Sequence, residues 1–337
     1  RKDFIDKTEF INFINDDNLV FSSWETDYKE SKETTNQNIN ANIDYQIDDN
    51  NSIGFSTNIL VKPREYSKMN TNSETLVFGS NQVLDSTFST FNRLVEESFN
   101  LAFTLDYLHK FNKEGEQISA SWHHTNYDFS NFQDVNTKYF LTNNDTSFRD
   151  NKFQTFSSQK IKIYTSQIDY ELPIDNSTLF EAGIKISDIK SESILNQFAF
   201  ENGIKTEDIQ NSDTFLYDET NYAGYLKAGL RSEYTIVQGN SLSTSQITNN
   251  NYLKFFPSIH LSNTVNDNNE LYFNYNRSIY RPRYSQLNPF KYFLSDNTFV
   301  SGDPNLKPQI DDEFTLGYIF FKNHTFLLFF RIMTINL

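Results

Sequence analysis

Two adjacent histidines, His123 and His124, are the first candidates for metal chemistry, because imidazole is the commonest metal-binding side chain. The surrounding residues alternate between apolar and polar, as in a strand, and a strand points neighbouring side chains to opposite faces. These two rings could then not bind one ion together. Since the H-E-x-x-H spacing of zinc hydrolases is also absent from the sequence, we expect no metal site and a structural or interfacial role for both rings.

Clustered carboxylates are the second candidate, since a pair of acids can hydrolyse glycosidic bonds. The clusters Asp16-Asp17, Asp48-Asp49 and Asp311-Asp312-Glu313 fall in predicted turns or at predicted strand starts, where solvated acids are ordinary. The sequence also lacks a G-x-S-x-G nucleophile elbow, a phosphate-binding glycine loop and a dinucleotide fingerprint. We therefore expect no catalytic residue, no cofactor and no enzymatic activity.

Charged side chains could also bind a ligand of opposite sign. Arg277, Arg281 and Arg283 could bind an anion, or they could form internal ion pairs with acids such as Asp303 or Asp311, which the sequence favours. Residues 187–220 carry eight acids against two bases. They predict either a cation-binding loop or, as we favour, a loop kept solvated by its charge.

The elements that must position these residues are hairpins of alternating apolar and polar residues. In the first hairpin, for example, every second residue from Ile39 to Ile47 is apolar or alanine. Five short polar turns are predicted, at 48–51, 112–117, 173–177, 266–269 and 322–324. Four long segments are predicted to be loops, at 62–98, 127–160, 187–220 and 277–312. Short turns on one side and long loops on the other are typical of a transmembrane β-barrel rather than a soluble meander.

Composition agrees with this class. The net charge of −15 argues against nucleic-acid binding, and the absence of cysteine excludes disulfides. Mean hydropathy is −0.61, and the longest apolar run, 326–330, is far too short for a membrane helix. Strands that expose only alternate residues to lipid are compatible with that low hydropathy, and the 16% of aromatic residues suits strands and membrane interfaces.

Two irregularities qualify the pattern. Between the turns at 173–177 and 266–269 a barrel chain must cross the membrane an even number of times, yet only three strands are visible. They cover 178–186, 222–234 and 255–265. Either a further strand lies in 188–220 or 236–253, or a hairpin near Leu226 and Lys227 has been lost. The tail, 326–333, also loses its alternation and predicts no clear final strand.

One stretch, 271–318, combines an amphipathic strand, a proline-rich loop and a second strand. It resembles the outer-membrane β-barrel family of Bacteroidetes-type bacteria that is related to TonB-dependent receptors. The residues that carry the resemblance, which imply architecture rather than a catalytic or ligand site, are Arg281, Pro282, Leu287, Asn288, Pro289, Phe290, Gly302, Pro304, Asn305, Leu306, Lys307 and Pro308. Asp303 replaces the family's usual asparagine and Gln309 its usual acid. The resemblance covers roughly residues 35–332.

The resemblance implies an all-β fold: an antiparallel transmembrane β-barrel of which about 11–14 strands are visible from an expected total of about 22. We expect residues 1–337 to form one barrel domain, a fragment without plug, signal peptide or C-terminal strands. The implied place is the outer membrane of a Gram-negative bacterium. The implied function is uptake of a bulky nutrient such as an iron chelate, oligosaccharide or peptide.

The partners implied are outer-membrane lipid or lipopolysaccharide, a TonB-type energy coupler acting through the N-terminal region, and a surface lipoprotein, but no nucleic acid. Two alternatives stay open at this point. One is a passive or structural outer-membrane barrel, and the other is a secreted β-rich adhesin or carbohydrate-binding protein.

Overall fold

The computed structural model describes residues 1–142, 144–174, 179–226, 229–242, 246–266, 268–295 and 297–335, and most of them lie in antiparallel strands. The strands are β1 (Lys2–Ile14), β2 (Val20–Thr34), β3 (Gln37–Gln46), β4 (Asn51–Lys62), β5 (Ser67–Gly79), β6 (Leu84–Lys110), β7 (Gln117–Leu141), β8 (Arg149–Pro173), β9 (Leu179–Glu201), β10 (Ile204–Glu207), β11 (Asp213–Leu226), β12 (Leu230–Ser241), β13 (Gln246–Asn266), β14 (Asn269–Tyr280), β15 (Tyr292–Ser295), β16 (Thr298–Val300), β17 (Gln309–Phe320) and β18 (His324–Ile335). A 3-10 turn covers Arg64–Tyr66, and a one-turn helix, α1, covers Tyr284–Leu287.

Sixteen of the described strands form one sheet, which follows the order β1-β2-β5-β6-β7-β8-β9-β11-β12-β13-β14-β17-β18, with β4 paired to β6, β3 to β4 and β10 to β9. Strands β15 and β16 form a separate hairpin, and the whole arrangement confirms the antiparallel all-β prediction. The sheet is not closed on itself. Strand β6 pairs with two elements, β5 along its first half and β4 along its second half. Pro63 and the 3-10 turn separate β4 from β5, because proline has no N–H to give to the ladder.

All five predicted turns lie where two strands meet, at the same rim of the sheet. In the turn that joins β3 to β4, the carboxylate of Asp48 accepts backbone N–H groups of Asn50 and Asn51, each at 2.8 Å. These bonds hold the pKa of Asp48 below its ordinary value. The turn at 173–177 lies mostly outside the described residues, as does Asp267 in the turn at 266–269.

The prediction of long loops was wrong for three of the four segments. Strands β6, β7, β8 and β9 have 27, 25, 25 and 23 residues, whereas about 9–11 residues cross a bilayer. Most of 62–98, 127–160 and 187–220 therefore continues the strands past the membrane. The buried face of these extensions is polar, with hydroxyl pairs such as Thr90–Thr137 at 3.0 Å, so apolar alternation could not show it.

The chain's ends and its middle also differ from prediction. A hairpin joins Leu226 to Leu230, so the segment 222–234 is two strands and the crossing number is even. Gly229 has a φ of 83°, which suits a tight turn, while Lys227 and Ala228 lie outside the described residues. At the C-terminal end β18 pairs in regular register with β17, so the tail is a strand after all. At the N-terminal end β1 and β2 are strands that the alternation did not reveal.

A continuous apolar band covers the outer face of the sheet near the rim of short turns. Its side chains are large and exposed, and they pair across strands, as Phe55 does with Leu105 and Leu105 with Trp122. Representative members are Ile43, Phe55, Leu105, Trp122, Ile168, Ile184, Tyr222, Tyr234, Leu253, Leu261, Leu271, Leu316 and Leu328. In contrast, the inner face carries polar residues such as Asp106, Gln167 and Thr235. An apolar outside and a polar inside are what a membrane barrel requires.

Candidate functional site

The connection between β14 and β17, residues 281–308, folds back over the inner face of the sheet; we refer to it as the inner loop. Its helix α1 places Leu287 against Phe215 and Tyr217 of β11, and all three side chains are buried. Tyr284 and Phe290 pack against the same cluster. The inner loop is therefore a docked element inside the sheet, whereas the sequence predicted a simple connection at its outer rim.

Arg281 anchors the start of the inner loop through two acids of the sheet. Its Nη2 atom lies 2.7 Å from Oε2 of Glu233, and its Nε atom lies 3.3 Å from Oε1 of Glu219. Both glutamates are buried, at 7% and 5% exposure. Tyr217 donates a hydrogen bond of 2.7 Å to Glu219, and Arg231 lies 3.2 Å from Glu233. Two buried carboxylates are thus compensated by two guanidinium groups and a phenol.

The charge state of this network follows from its surroundings. Burial lowers the pKa of the Arg281 guanidinium, but the hydrogen bond to Glu233 and the nearby negative charges outweigh it and raise the pKa above its ordinary value. Burial, followed by the charge of Glu219, raises the pKa of Tyr284. Arg281 is therefore charged and Tyr284 neutral at physiological pH, so the phenol adds no negative charge beside the two glutamates.

The two ends of the inner loop are joined by backbone hydrogen bonds. The N–H of Gly302 donates to the carbonyl of Asn288 at 2.9 Å, and the N–H of Asp303 donates to the carbonyl of Gln286 at 2.7 Å. A Cβ at position 302 would lie 2.3 Å from one of these carbonyl oxygens and 2.5 Å from the other. Glycine is therefore required there by close approach of the backbone.

The remaining motif residues lie along the same contact. A cavity of only 40 Å³ separates the loop from the wall, and motif residues Arg281, Pro282, Leu287, Pro304, Asn305, Leu306 and Pro308 border it. Pro289 is half-buried, and Lys307 is exposed. The side chain of Asp303 accepts the N–H of Asn305 at 2.8 Å. An asparagine side chain would form the same turn, so aspartate can replace the family's usual asparagine without changing the backbone.

The other two arginines have different surroundings. Arg277 forms a bidentate pair with Asp312 across β14 and β17, at 2.7 and 2.9 Å, and Tyr275 donates to the same carboxylate. The neighbouring acid Asp311 pairs with Arg331 of β18. Internal ion pairs were predicted, but with Asp303 or Asp311 as partners. The partners found are Asp312 for Arg277 and the two glutamates for Arg281. Arg283 is exposed on the inner loop.

A larger cavity of about 670 Å³ lies between the inner loop and the inner face of β7, β8 and β9. More than half of the residues that line it carry an amide or hydroxyl group, and the apolar remainder includes Phe129, Leu195 and Phe290. Gln133 and Thr155 are buried at its base. Its size lies within the range of small-molecule sites, and its polar groups could hydrogen-bond a solute inside the barrel.

The two adjacent histidines face opposite sides, as predicted. His123 points inward to the hydroxyls of Thr104 and Thr125, at 2.9 and 2.8 Å. His124 points outward and stacks on Tyr164, with ring centroids 4.4 Å apart. Across the described residues, no group of three or more acids or histidines is placed to hold a metal ion. Within the same part of the chain, no helix is long and apolar enough to cross a membrane.

Comparison with known families decides the identity of this fold. The outer membrane protein beta-barrel family matches residues 109–336, which is about two thirds of the chain. The chain belongs to this family. It therefore resides in the outer membrane of a Gram-negative bacterium. No curated protein matches the chain.

Membership in the family gives the two faces of the sheet their environments. The apolar band faces lipid, the polar face lines the barrel interior, and the inner loop occupies that interior. The sequence did not identify Glu219 and Glu233, the acids that hold the loop. The usable signal was a strand break between Leu226 and Leu230, because alternation along β11 and β12 then places both glutamates on the inner face.

Proposed function

We propose that this outer-membrane barrel is the barrel of a TonB-dependent-receptor-like importer that takes up a bulky nutrient, such as an iron chelate, an oligosaccharide or a peptide. The observation that carries the proposal is the 670 Å³ cavity between the inner loop and β7–β9. It offers a solute a polar binding place inside the barrel, which a purely structural barrel does not need. The proposal assigns the protein no enzymatic activity.

The resemblance of 271–318 to the receptor-related barrels supports the same proposal. In it, an energy coupler acts through a region N-terminal to the barrel, a surface lipoprotein assists capture of the nutrient, and lipopolysaccharide surrounds the outer face. No nucleic acid takes part, since an acidic chain repels phosphates.

The alternative is a passive barrel. The observation that favours it is the inner loop itself. Ion pairs of Arg281 with Glu219 and Glu233 hold this loop in the barrel interior, so the loop alone can narrow the channel. A secreted adhesin fits less well, because the apolar band would then face water.

Uptake by cells separates these proposals. Cells that carry or lack the gene in its natural length receive radiolabelled ferric chelate, dextran oligosaccharide or peptide, with and without a protonophore. We expect gene-dependent accumulation of one of the three that disappears with the protonophore. Accumulation that survives the protonophore would show a passive barrel. If the gene changes the uptake of none of the three, the import proposal is wrong.

A further inference from the structure

The hairpin that joins β11 to β12 is shorter than the hairpins on either side of it. Its last cross-strand pair, Leu226–Leu230, is level with Pro257 of β13 and three residues from the start of β9. From that level β13 continues toward the short turns for nine more residues, to Asn266. Barrel strands tilt by about 35–45°, so the rim shifts by only about one residue from strand to strand. The β11–β12 hairpin therefore ends about five residues short of the rim.

The short hairpin leaves an opening in the wall, bounded by the start of β9 and the end of β13; we call it the wall opening. Three strand spacings, about 14 Å, separate these two strands, and five missing residues give a height of about 17 Å. Phe180 of β9 and Ile259 and Leu261 of β13 border it with large exposed side chains on the lipid-facing side. Because the short turns of such barrels face the periplasm, the wall opening lies in the inner leaflet.

The end of β13 is an internal edge of the sheet. The N–H of Ser258 donates to the carbonyl of Gly229 at 2.7 Å, so every second residue of β13 turns its backbone N–H and C=O groups toward β12. Beyond Ser258 these residues are His260, Ser262 and Thr264, and no strand among the described residues pairs with their backbone on that side. Every residue from Ser258 to the end of β13 is also exposed, as in β3 at the edge of the sheet.

Water from the barrel interior can supply the hydrogen bonds that this internal edge lacks. Unpaired backbone is tolerated at membrane depth only where it borders protein or a water-filled space. The side chains of His260, Ser262 and Thr264 are polar, exposed and on the inner face, so the edge borders the interior. On its outer side the same segment exposes Ile259 and Leu261 to lipid. The wall opening thus joins a polar space to a hydrocarbon one.

We propose that the wall opening admits a single-chain amphiphile with an uncharged, hydroxyl-bearing head, such as a monoacylglycerol. The head would bond to the internal edge of β13, and the alkyl chain would stay in the inner leaflet between Phe180 and Leu261. A hydroxyl group both donates and accepts hydrogen bonds, which matches an edge that offers N–H and C=O groups. The alkyl chain leaves no polar group in the hydrocarbon layer.

The charges around the wall opening do not select an ionic head. On the inner face two acids, Glu171 and Glu181, lie on the β9 side, and two bases, Arg231 and Lys254, lie on the β13 side. These charges balance, which leaves hydrogen bonding to the edge as the source of recognition. The residues that border the wall opening are not those that line the cavity beneath the inner loop, so the proposal does not depend on the nutrient that is taken up.

The first test is amide hydrogen exchange of the full-length protein in lipid nanodiscs, resolved to single residues. The N–H groups of Ser262 and Thr264 should exchange about a hundredfold faster than those of Leu261 and Asn263, because only the latter point to β14 and are protected by pairing. Equal protection of the two sets would show that a strand fills the wall opening, and the proposal would then be wrong.

The second test is photolabelling by a monoacylglycerol with a diazirine in its head, in the same nanodiscs. His260 and Thr315 lie in one row of the inner face, and of these two only His260 is at the wall opening. We expect about tenfold more label on His260, as two net hydrogen bonds to the edge would give. The test variant carries an insertion between Leu226 and Leu230 that lengthens β11 and β12 by about five alternating residues each. The control carries the same insertion in the turn at 112–117, where the hairpin already reaches the rim.

The test variant should lose the excess label on His260, because the completed hairpin covers the edge, whereas the control should keep it. Label that survives the closing insertion, or that is equal on His260 and Thr315 in the unchanged protein, would overturn the proposal. A fatty acid of the same chain length should not compete, and full competition by it would contradict recognition of the head. If the insertion prevents assembly, Ser262→Trp should remove the excess by filling the edge, whereas Ser121→Trp on the inner face of β7 should not.

Discussion

At the residue scale, Arg281 decides whether the inner loop is docked. Its removal leaves Glu219 and Glu233 buried without their shared partner, and breaking a buried ion pair from one side costs several kcal/mol. Because the Arg281 side chain is 29% exposed, we expect its removal to destabilise the docked loop by about 3 kcal/mol, the lower end of the range for buried pairs.

The variant Arg281→Ala should therefore release the loop. We expect the open population, and with it the rate of chymotrypsin cleavage within 281–308, to rise roughly 100-fold. Arg283→Ala removes the same charge from an exposed position of the same loop and should leave the rate unchanged. Equal cleavage of the two variants would show that the ion pairs do not hold the loop.

Gly302 sets the internal shape of the same loop. The variant Gly302→Ala would press a methyl group against the carbonyl oxygens of Gln286 and Asn288, and neither can move without breaking a backbone hydrogen bond. We expect a cost of about 1–3 kcal/mol and therefore a rise in cleavage of roughly 5- to 150-fold. Ser301→Ala, one residue earlier, is the control. A cleavage rate in Gly302→Ala that matches this control would contradict the close approach.

At the scale of elements, the sequence predicted the parts of the fold where chemistry is local. Each predicted turn contains residues suited to tight turns, and each strand in the apolar band except β18 alternates visibly. The strand extensions were missed because their buried face consists of residues such as Thr90, Asn92 and Gln133, which alternation of apolar residues cannot detect. The position of the inner loop depends on Glu233 and Glu219, which lie 48 and 62 residues before Arg281, and no local pattern encodes such contacts.

The assignment of the two faces predicts opposite effects for neighbouring residues of β8. Ile168 faces lipid and Gln167 faces the interior, where Asp169 accepts its hydrogen bond. Arginine on the lipid face near the bilayer midplane costs about 2–4 kcal/mol, but in the interior it stays hydrated. We expect Ile168→Arg to lower the heat-modifiable, assembled fraction in outer-membrane preparations severalfold.

Gln167→Arg is the matched control for that experiment and should assemble as the unchanged protein does. If Gln167→Arg failed to assemble and Ile168→Arg assembled normally, the inner and outer faces of the sheet would have been assigned the wrong way round. Equal loss in both would show that any arginine in this part of β8 prevents assembly, and the pair would then not report the faces.

At the scale of the whole molecule, the two edges of the sheet determine how the barrel is completed. In the membrane-facing half these edges are β3, which pairs with β4 on one side, and β18, which pairs with β17. A bilayer supplies no water to unpaired backbone groups, so each edge must pair with another strand. β3 runs toward the rim of short turns and β18 runs away from it, so the two strands are antiparallel and could pair directly.

Direct pairing would close a barrel of twelve strands, whereas the expected total of about 22 places other strands between β3 and β18.

Disulfide crosslinking distinguishes the two barrels. The chain has no cysteine, so introduced cysteine pairs give a clean readout. Ala41→Cys is combined in turn with Phe326→Cys, Leu328→Cys and Phe330→Cys, and oxidised in the membrane. A disulfide needs Cα atoms within about 7 Å. We expect no crosslink within one chain, while Ala41→Cys with Thr57→Cys, its cross-strand partner, should crosslink. A β3–β18 disulfide would instead establish the smaller barrel, and its narrower interior would favour the passive alternative over uptake of a bulky nutrient.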